Sequence, residues 1–447
     1  MRNFGLSCGA GNNHMHEDST FGFKGFAMLF ALLVIVLAGS QSEPGGRFDL
    51  LTKIVRKVPP GKVVKSPTTT TPISTSPTPI ATAPTTTTPT TTDTSNTLYT
   101  ELTAVSSSFD PTTSLVASWG SGGIAASSAP DPVGAFRFIC GAGHLLRDDP
   151  IVYPGQPGKS HLHQFYGNLS VDAGSTYASL RQNGGSSCEF GNGSNAVNRS
   201  AYWMPAMLDG KGNVVRPDYI SIYYKRRPIT DPKCSLTSGD PRAEGDCVPL
   251  PNGLRFVFGY DMLTNKAPTG SFSFNCDGPT AVAGHYATIT QAMANCPTAP
   301  TNGVYNRLGA VIAAPSCWDG KNLDSANHRD HVAYMVLNGY TGLWACPPTH
   351  PKLIPSFQLG AWYTIDANLG TWRLSSDEMM PGAAPGSTFH ADWFGGWDNQ
   401  VQAMWMDNCI NKQLNCSGGD LGNGKQIRGA GGPPGWVANP RLVPIPS

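Results

Sequence analysis

YISIYYKRR at residues 219–227 is apolar and aromatic, and AYWMPAML at 201–208, LRFVFGY at 254–260 and SFSFNC at 271–276 share its character. Such side chains favour extended backbone, and each stretch is bounded by Gly, Pro, Asn or Asp, which interrupt regular structure. FRFIC at 136–140 alternates well enough for a further strand. Strands at this density, separated by turn clusters and joined by long loops, predict a mainly β domain. The expected architecture is a β-sandwich or jelly-roll-like core with long disulfide-stapled loops and few short helices. The one helix expected in this half lies around Ala287–Asn295.

Composition points the same way. Gly 51 and Pro 38 are high, charged residues make up only 14%, and long Ala/Leu/Glu/Lys periods are mostly missing, so the 447 residues favour one large β-rich domain over several helical ones. With Lys+Arg 31 against Asp+Glu 30, the net charge of +1 provides no basic face for nucleic acid, which is excluded as a partner.

Phe26–Ala38 is an unbroken apolar run preceded by Lys24 and followed by Gly39, Ser40 and Gln41. Residues 1–43 therefore read as a secretory signal peptide or, if uncleaved, as a signal anchor near the minimum length for a span. Residues 44–65 form a basic segment with Arg47, Lys53, Arg56, Lys57, Lys62 and Lys65 against Asp49. Residues 66–97 are a Thr/Pro/Ser-rich stretch, expected to be a disordered, semi-rigid stalk; 98–129 form a loose lead-in, and 130–447 the globular domain. Cys8 lies upstream of the apolar run and ten cysteines lie downstream, an even number that suits an oxidised exported domain. Cys234 with Cys247, Cys276 with Cys296 and Cys409 with Cys416 would close short loops, and the lack of a CxxC pair removes the zinc-knuckle and thioredoxin readings. The expected location is secreted or cell-surface associated, with membrane contact only through an uncleaved apolar segment, and the expected state is a monomer. Sequons at Asn168, Asn192, Asn198 and Asn415 matter only in a host that N-glycosylates.

Chemistry concentrates in PSCWDGKNLDSANHRDHVAY at 315–334, read as one wall of a site, with HLHQF at 161–165, CPPTHP at 346–351 and FHADW at 389–393 as the others. His161 with His163, and His390 with Asp392, stand at i and i+2, a shared face on a strand. His328 and His331 are three apart before an expected strand at HVAYMVL, and Pro351 biases His350 towards extended geometry. Neutral imidazole ligates transition metals, and imidazole beside a carboxylate moves protons near neutral pH. The candidate catalytic residues are accordingly His161, His163, His328, His331, His390, Asp319, Asp324 and Asp392. A divalent transition metal would draw on His161, His163, His328, His331 and His350, and a metal-free acid–base site stays open. Tyr202, Trp203, Trp318 and Trp393 are candidate sugar contacts, with Arg255 and Lys321 steadying charge; strand aromatics also serve as core. HExxH, GxSxG and P-loop signatures do not occur.

The blocks HLHQFYGN, SAYWMPAM, GLRFVFG, PSCWDGKNLDSANHRDHVAY, CPPTHPKLIP and FHADWFGGWD, in that order, resemble the secreted domain-of-unknown-function family DUF1996, over about residues 130–415. That family occurs in bacteria and in fungi, where it is often joined to WSC carbohydrate-binding modules, and the resemblance implies no set activity. Two places depart from its pattern: Asn327 precedes His328 where the family reads DHxxH, and LSSDEMMPG at 374–382 replaces LSSGDPTG. The leading expectation is an exported, surface-tethered protein acting on extracellular or cell-wall carbohydrate as a hydrolase or lyase. The alternatives are a non-catalytic carbohydrate-binding or wall-adhesion module, and a structural metal site without catalysis.

Overall fold

A computed structural model describes residues 105–107, 109–118, 133–266, 271–339, 341–432 and 438–446. The apolar run, the basic segment and the Thr/Pro/Ser stretch lie outside the described residues, as does most of the 98–129 lead-in. Among the described residues strand makes up 32% and helix 12%, so the domain is mainly β as its sequence predicts.

The strands of the two main sheets are, in chain order, β1 (Gly134–Cys140), β2 (Leu145–Leu146), β3 (His163–Gly167), β4 (Ala201–Pro205), β5 (Tyr219–Arg226), β6 (Arg255–Gly259), β7 (Phe272–Asp277), β8 (Arg307–Ala313), β9 (Ser356–Thr364), β10 (His390–Phe394) and β11 (Asn415–Cys416). One sheet has the order β6-β10-β4-β3-β2, and the other β7-β8-β9-β5-β1-β11. Pairing is antiparallel except between β1 and β11.

Alternation makes this a sandwich. Along β5, Ile220, Ile222, Tyr224 and Arg226 are buried between half-buried neighbours, and β9 repeats the pattern with Phe357, Leu359 and Tyr363. These meet Tyr202, Phe256 and Trp393 of the opposite sheet in one apolar cluster. Tyr202 and Tyr224 share a hydroxyl hydrogen bond of 2.8 Å across the interface, and the Phe357 ring lies 5.1 Å from that of Trp393. Each such ring contributes ~2–3 kcal/mol by leaving water.

The five-stranded sheet is buried on its outer face as well. Phe165, Trp203, Val257 and Phe394 point outward and are covered by Ile151, Val171, Tyr177 and Leu180 from connecting segments. This covered outer face carries the site.

Five disulfides staple the loops: Cys140–Cys188, Cys234–Cys247, Cys276–Cys296, Cys317–Cys346 and Cys409–Cys416. Three of them are the short-loop pairs that spacing predicts. The expected helix is present as Ile289–Met293, started by Thr288, whose side chain accepts from the Gln291 amide. HVAYMVL does not form one strand. Val332–Ala333 pairs with Cys317–Trp318, whereas Val336–Leu337 pairs with Trp344–Ala345, so the run serves two ladders and breaks between them. Of the sequons, Asn168, Asn192 and Asn198 are buried, which leaves Asn415 the most accessible. No described helix is long and apolar enough to cross a membrane.

Candidate metal centre

Alternation along β10 turns Ala391 and Trp393 into the core and sends His390 and Asp392 to the outer face. His163 opens β3, and His161 stands just before it, its ring centroid 4.2 Å from that of His163 and 5.1 Å from that of His390. Asp149 comes from the segment that covers the sheet. Ligand atoms of His161, His163 and His390 all lie within 4.8 Å of one another, and so do those of Asp149, His163 and Asp392. Opposed ligands on an ion with ~2.1 Å bonds stand about 4 Å apart.

Hydrogen bonds fix which atoms face inward. His163 donates its Nδ1 proton to the Asp148 carbonyl at 3.0 Å, and His390 donates its own to the Thr388 carbonyl at 2.9 Å. Each bond leaves the Nε2 lone pair for a ligand, the arrangement that orients metal-binding imidazoles. His163 belongs to both sets, so the two adjoin at its one free nitrogen. Asp149 accepts the Ile151 and Val152 amides on Oδ1, which leaves Oδ2 to face the site. An outer chain holds His390: Asp377 Oδ1 accepts the Thr388 hydroxyl at 2.7 Å, and Thr388 in turn accepts from His390.

Burial sets the electrostatics. It drives His161 and His163 below the usual imidazole range, most strongly at His161, where His163, His390 and Arg147 add to it. It lowers His390 to about 3, aided by His163. All three rings are therefore neutral at neutral pH, the ligating form. Burial, with Asp149 beside it, pushes the Asp392 carboxyl well above its ordinary value, opposed by Arg329. Both Asp392 oxygens, His161 Nε2 and His163 Nε2 are buried without a hydrogen-bond partner. Orphaned polar atoms of this kind each cost about 1–3 kcal/mol, and a bare carboxylate more. A divalent cation held here would take up the bare His163 nitrogen together with that of His161 or the carboxylate of Asp392, and Asp149 and Asp392 would offset its charge.

The centre is the floor of a cavity of about 120 Å³ whose walls include Lys159, Ser160, Asp261, Asn327 and Arg329. A larger cavity of about 370 Å³, between Arg226, Leu250, Gln402 and Met406, contains none of the five donors.

The remaining candidates are placed elsewhere. His328, His331 and His350 belong to neither donor set. His328 Nδ1 bonds Asp324 Oδ1 at 2.8 Å, and Asp324 Oδ2 takes Arg255 Nε at 2.7 Å. His331 spends both nitrogens, on Ser325 Oγ at 2.9 Å and the Arg255 carbonyl at 2.9 Å. His350 likewise meets Thr349 Oγ1 and the Asp330 carbonyl, both at 2.8 Å. Asp319 caps its own turn through the Lys321 and Asn322 amides. These residues brace loops, and the four-walled site resolves into one centre and one brace. Tyr202, Trp203 and Trp393 are 0% exposed and Trp318 5%, so none presents a face to a sugar. Arg255 is committed to Asp324 and to the Phe394 ring, and Lys321 lies exposed in the Asp319 turn.

The 315–334 segment still reaches the cavity through two residues that its histidines overshadow. Arg329 donates to the Gly259 and Tyr260 carbonyls at 3.1 and 3.0 Å, close to Asp261. Asn327 Oδ1 accepts the amides of Arg329 and Asp330. An aspartate oxygen does the same, so the amide found where the family has an acid keeps the turn.

A family model described as "Domain of unknown function (DUF1996)" matches residues 149–397, more than half of the chain. The match opens at Asp149 and runs past Asp392, and so contains all five donors. No curated protein and no solved structure matches the chain. The chain belongs to the DUF1996 family.

Proposed function

We propose that this protein is an exported, surface-tethered, metal-dependent enzyme that acts on extracellular or cell-wall carbohydrate as a hydrolase or lyase. The observation that carries the catalytic part is the convergence of four buried, unpartnered lone-pair atoms, on His161, His163 and Asp392, at the floor of a cavity. A divalent ion held there would supply Lewis acidity. The chain's own residues hold the imidazole tautomers through Asp148 and Thr388 and set the Arg329 guanidinium beside Asp392. Five disulfides are consistent with an extracellular address. The carbohydrate part rests on the resemblance to domains joined to WSC modules. The adhesion-module alternative loses its aromatic platform, because Trp203 and Trp318 are buried.

Elemental analysis of the oxidised protein, with and without His163→Ala, tests this reading. One divalent metal per chain is expected in the parent and none in the variant, and release of products from cell-wall glycans should stop in the variant and after chelation. A metal-free parent with full activity overturns it.

A further inference from the structure

We infer that the groove over the metal centre takes a negatively charged saccharide, with its anionic group held by Arg147 and Lys159. This deepens the reading above and rests on it.

The 120 Å³ cavity is continued by a second of about 170 Å³, and the two share Lys159, Ser160, His161 and Met379. Together they form one groove that passes over His161, the ligand that is not fully buried. Apart from the ligands, its walls carry Arg147, Lys159 and Arg329 against Asp261 and Glu378. Asp261 is already engaged, by Arg329 and by the amides of Leu263 and Thr264. Among the described residues Arg147 and Lys159 have no ion-pair partner. The Ser160 amide bonds the Arg147 carbonyl at 3.0 Å, which ties the two basic positions to one turn beside His161.

Charge sorts the groove. A divalent ion balanced by Asp149 and Asp392 leaves the floor near neutral, so the two free cations determine what the mouth attracts. Glu378 lines the same second cavity as Arg147 and Lys159 and offsets one of their two positive charges, which leaves one in excess. The rim is apolar as well: Leu263 is 57% and Met379 59% exposed. Exposed aliphatic and thioether groups suit the C–H face of a sugar ring, whereas a free inorganic anion gains nothing from them.

The test uses the metal-loaded protein and its Arg147→Gln/Lys159→Gln variant, titrated calorimetrically with an oligogalacturonate, a sulfated oligosaccharide and a neutral cello-oligosaccharide of matched length. The parent should bind one or both acidic probes in a salt-dependent manner and the neutral probe more weakly. The variant should lose roughly fivefold or more in affinity for the acidic probe, the worth of two partly exposed ion pairs, with its metal content unchanged. A carboxylate-only or sulfate-only response supports the inference and names the anion. Equal binding of the neutral probe, no binding of either acidic probe at millimolar concentration, or an unaffected variant overturns it. A metal-free protein that binds acidic probes through these two residues instead overturns the metal centre and keeps the anion site, so the two failures are distinguishable.

Discussion

Two histidine clusters sit on this sandwich, and they differ in what their lone pairs do. In the brace formed by Asp324, His328 and His331, both nitrogens of His331 and both oxygens of Asp324 have protein partners. Around Asp149, His161, His163, His390 and Asp392, two imidazole nitrogens and a whole carboxylate are buried with none. Residue types are the same in both. What separates a ligand set from a brace is whether folding has already spent the lone pairs.

The strongest way to break that comparison is to remove one histidine from each cluster. His163→Ala should reduce metal affinity well beyond the roughly ten- to hundredfold that outer residues contribute. His331→Ala should keep the metal and instead lose about 1–3 kcal/mol of unfolding free energy, because it removes the side-chain partner of the Arg255 carbonyl and leaves the Ser325 hydroxyl with Asn327 alone. Elemental analysis and urea unfolding on the same two samples decide it. A variant at His331 that loses its metal would merge the clusters.

Acid sharpens the contrast next. His390 has a pKa of about 3 in the folded state against the ordinary 6.5, and His161 and His163 are shifted in the same direction. A lowered folded pKa means that the unfolded chain takes up the proton first. The contribution of these rings to the metal-free protein should thus be fully present above pH ~6.5 and be lost as pH falls towards about 3, by up to about 1.4 kcal/mol per pH unit for each such ring, against an opposite and partly offsetting contribution from the raised Asp392 carboxyl. Unfolding midpoints in chelator between neutral pH and pH ~4 measure this slope. It should flatten in a His163→Ala/His390→Ala variant, and an unchanged slope there would show that burial of these rings does not govern acid sensitivity.

Much of this was legible in the sequence, for local reasons. Ile220, Ile222 and Tyr224 announce a half-covered strand, and the i, i+2 spacing of His390 and Asp392 puts both on one face of an extended segment. Asp149 was not legible, because its role depends on a connecting segment folding back over the outer face of the sheet, a tertiary event that leaves no periodic trace. Trp203 and Trp393 show the same blind spot. Alternation assigns them to opposite faces, yet both are 0% exposed, Trp393 inside the sandwich and Trp203 beneath the segment that covers the outer face. His331 was illegible for a different reason: residue type advertises chemistry, and only geometry shows that Ser325 and a backbone carbonyl already occupy both its nitrogens, whereas His328 commits Nδ1 to Asp324.

The smallest expected effect is the most diagnostic, since it predicts opposite signs for one substitution in the two clusters. Asp392 is buried with both oxygens unpartnered, and its carboxyl pKa is raised, so in the metal-free protein ionisation at neutral pH works against folding. Asp392→Asn removes that charge without breaking a hydrogen bond, and its amide can donate to the bare imidazole nitrogens. The metal-free variant should be more stable than the metal-free parent by about 1 kcal/mol, although it no longer gains stability when metal is added. Asp324 is the matching acid in the brace, where the His328 hydrogen bond and the Arg255 cation outweigh burial and lower its pKa. Asp324→Asn should therefore destabilise the protein by about 1 kcal/mol with or without metal, because the ion pair that its charge completes is half-buried. Denaturant curves in chelator read both signs. If the two substitutions move stability in the same direction, the unpartnered carboxylate is not what distinguishes the centre, and the metal reading loses its physical basis.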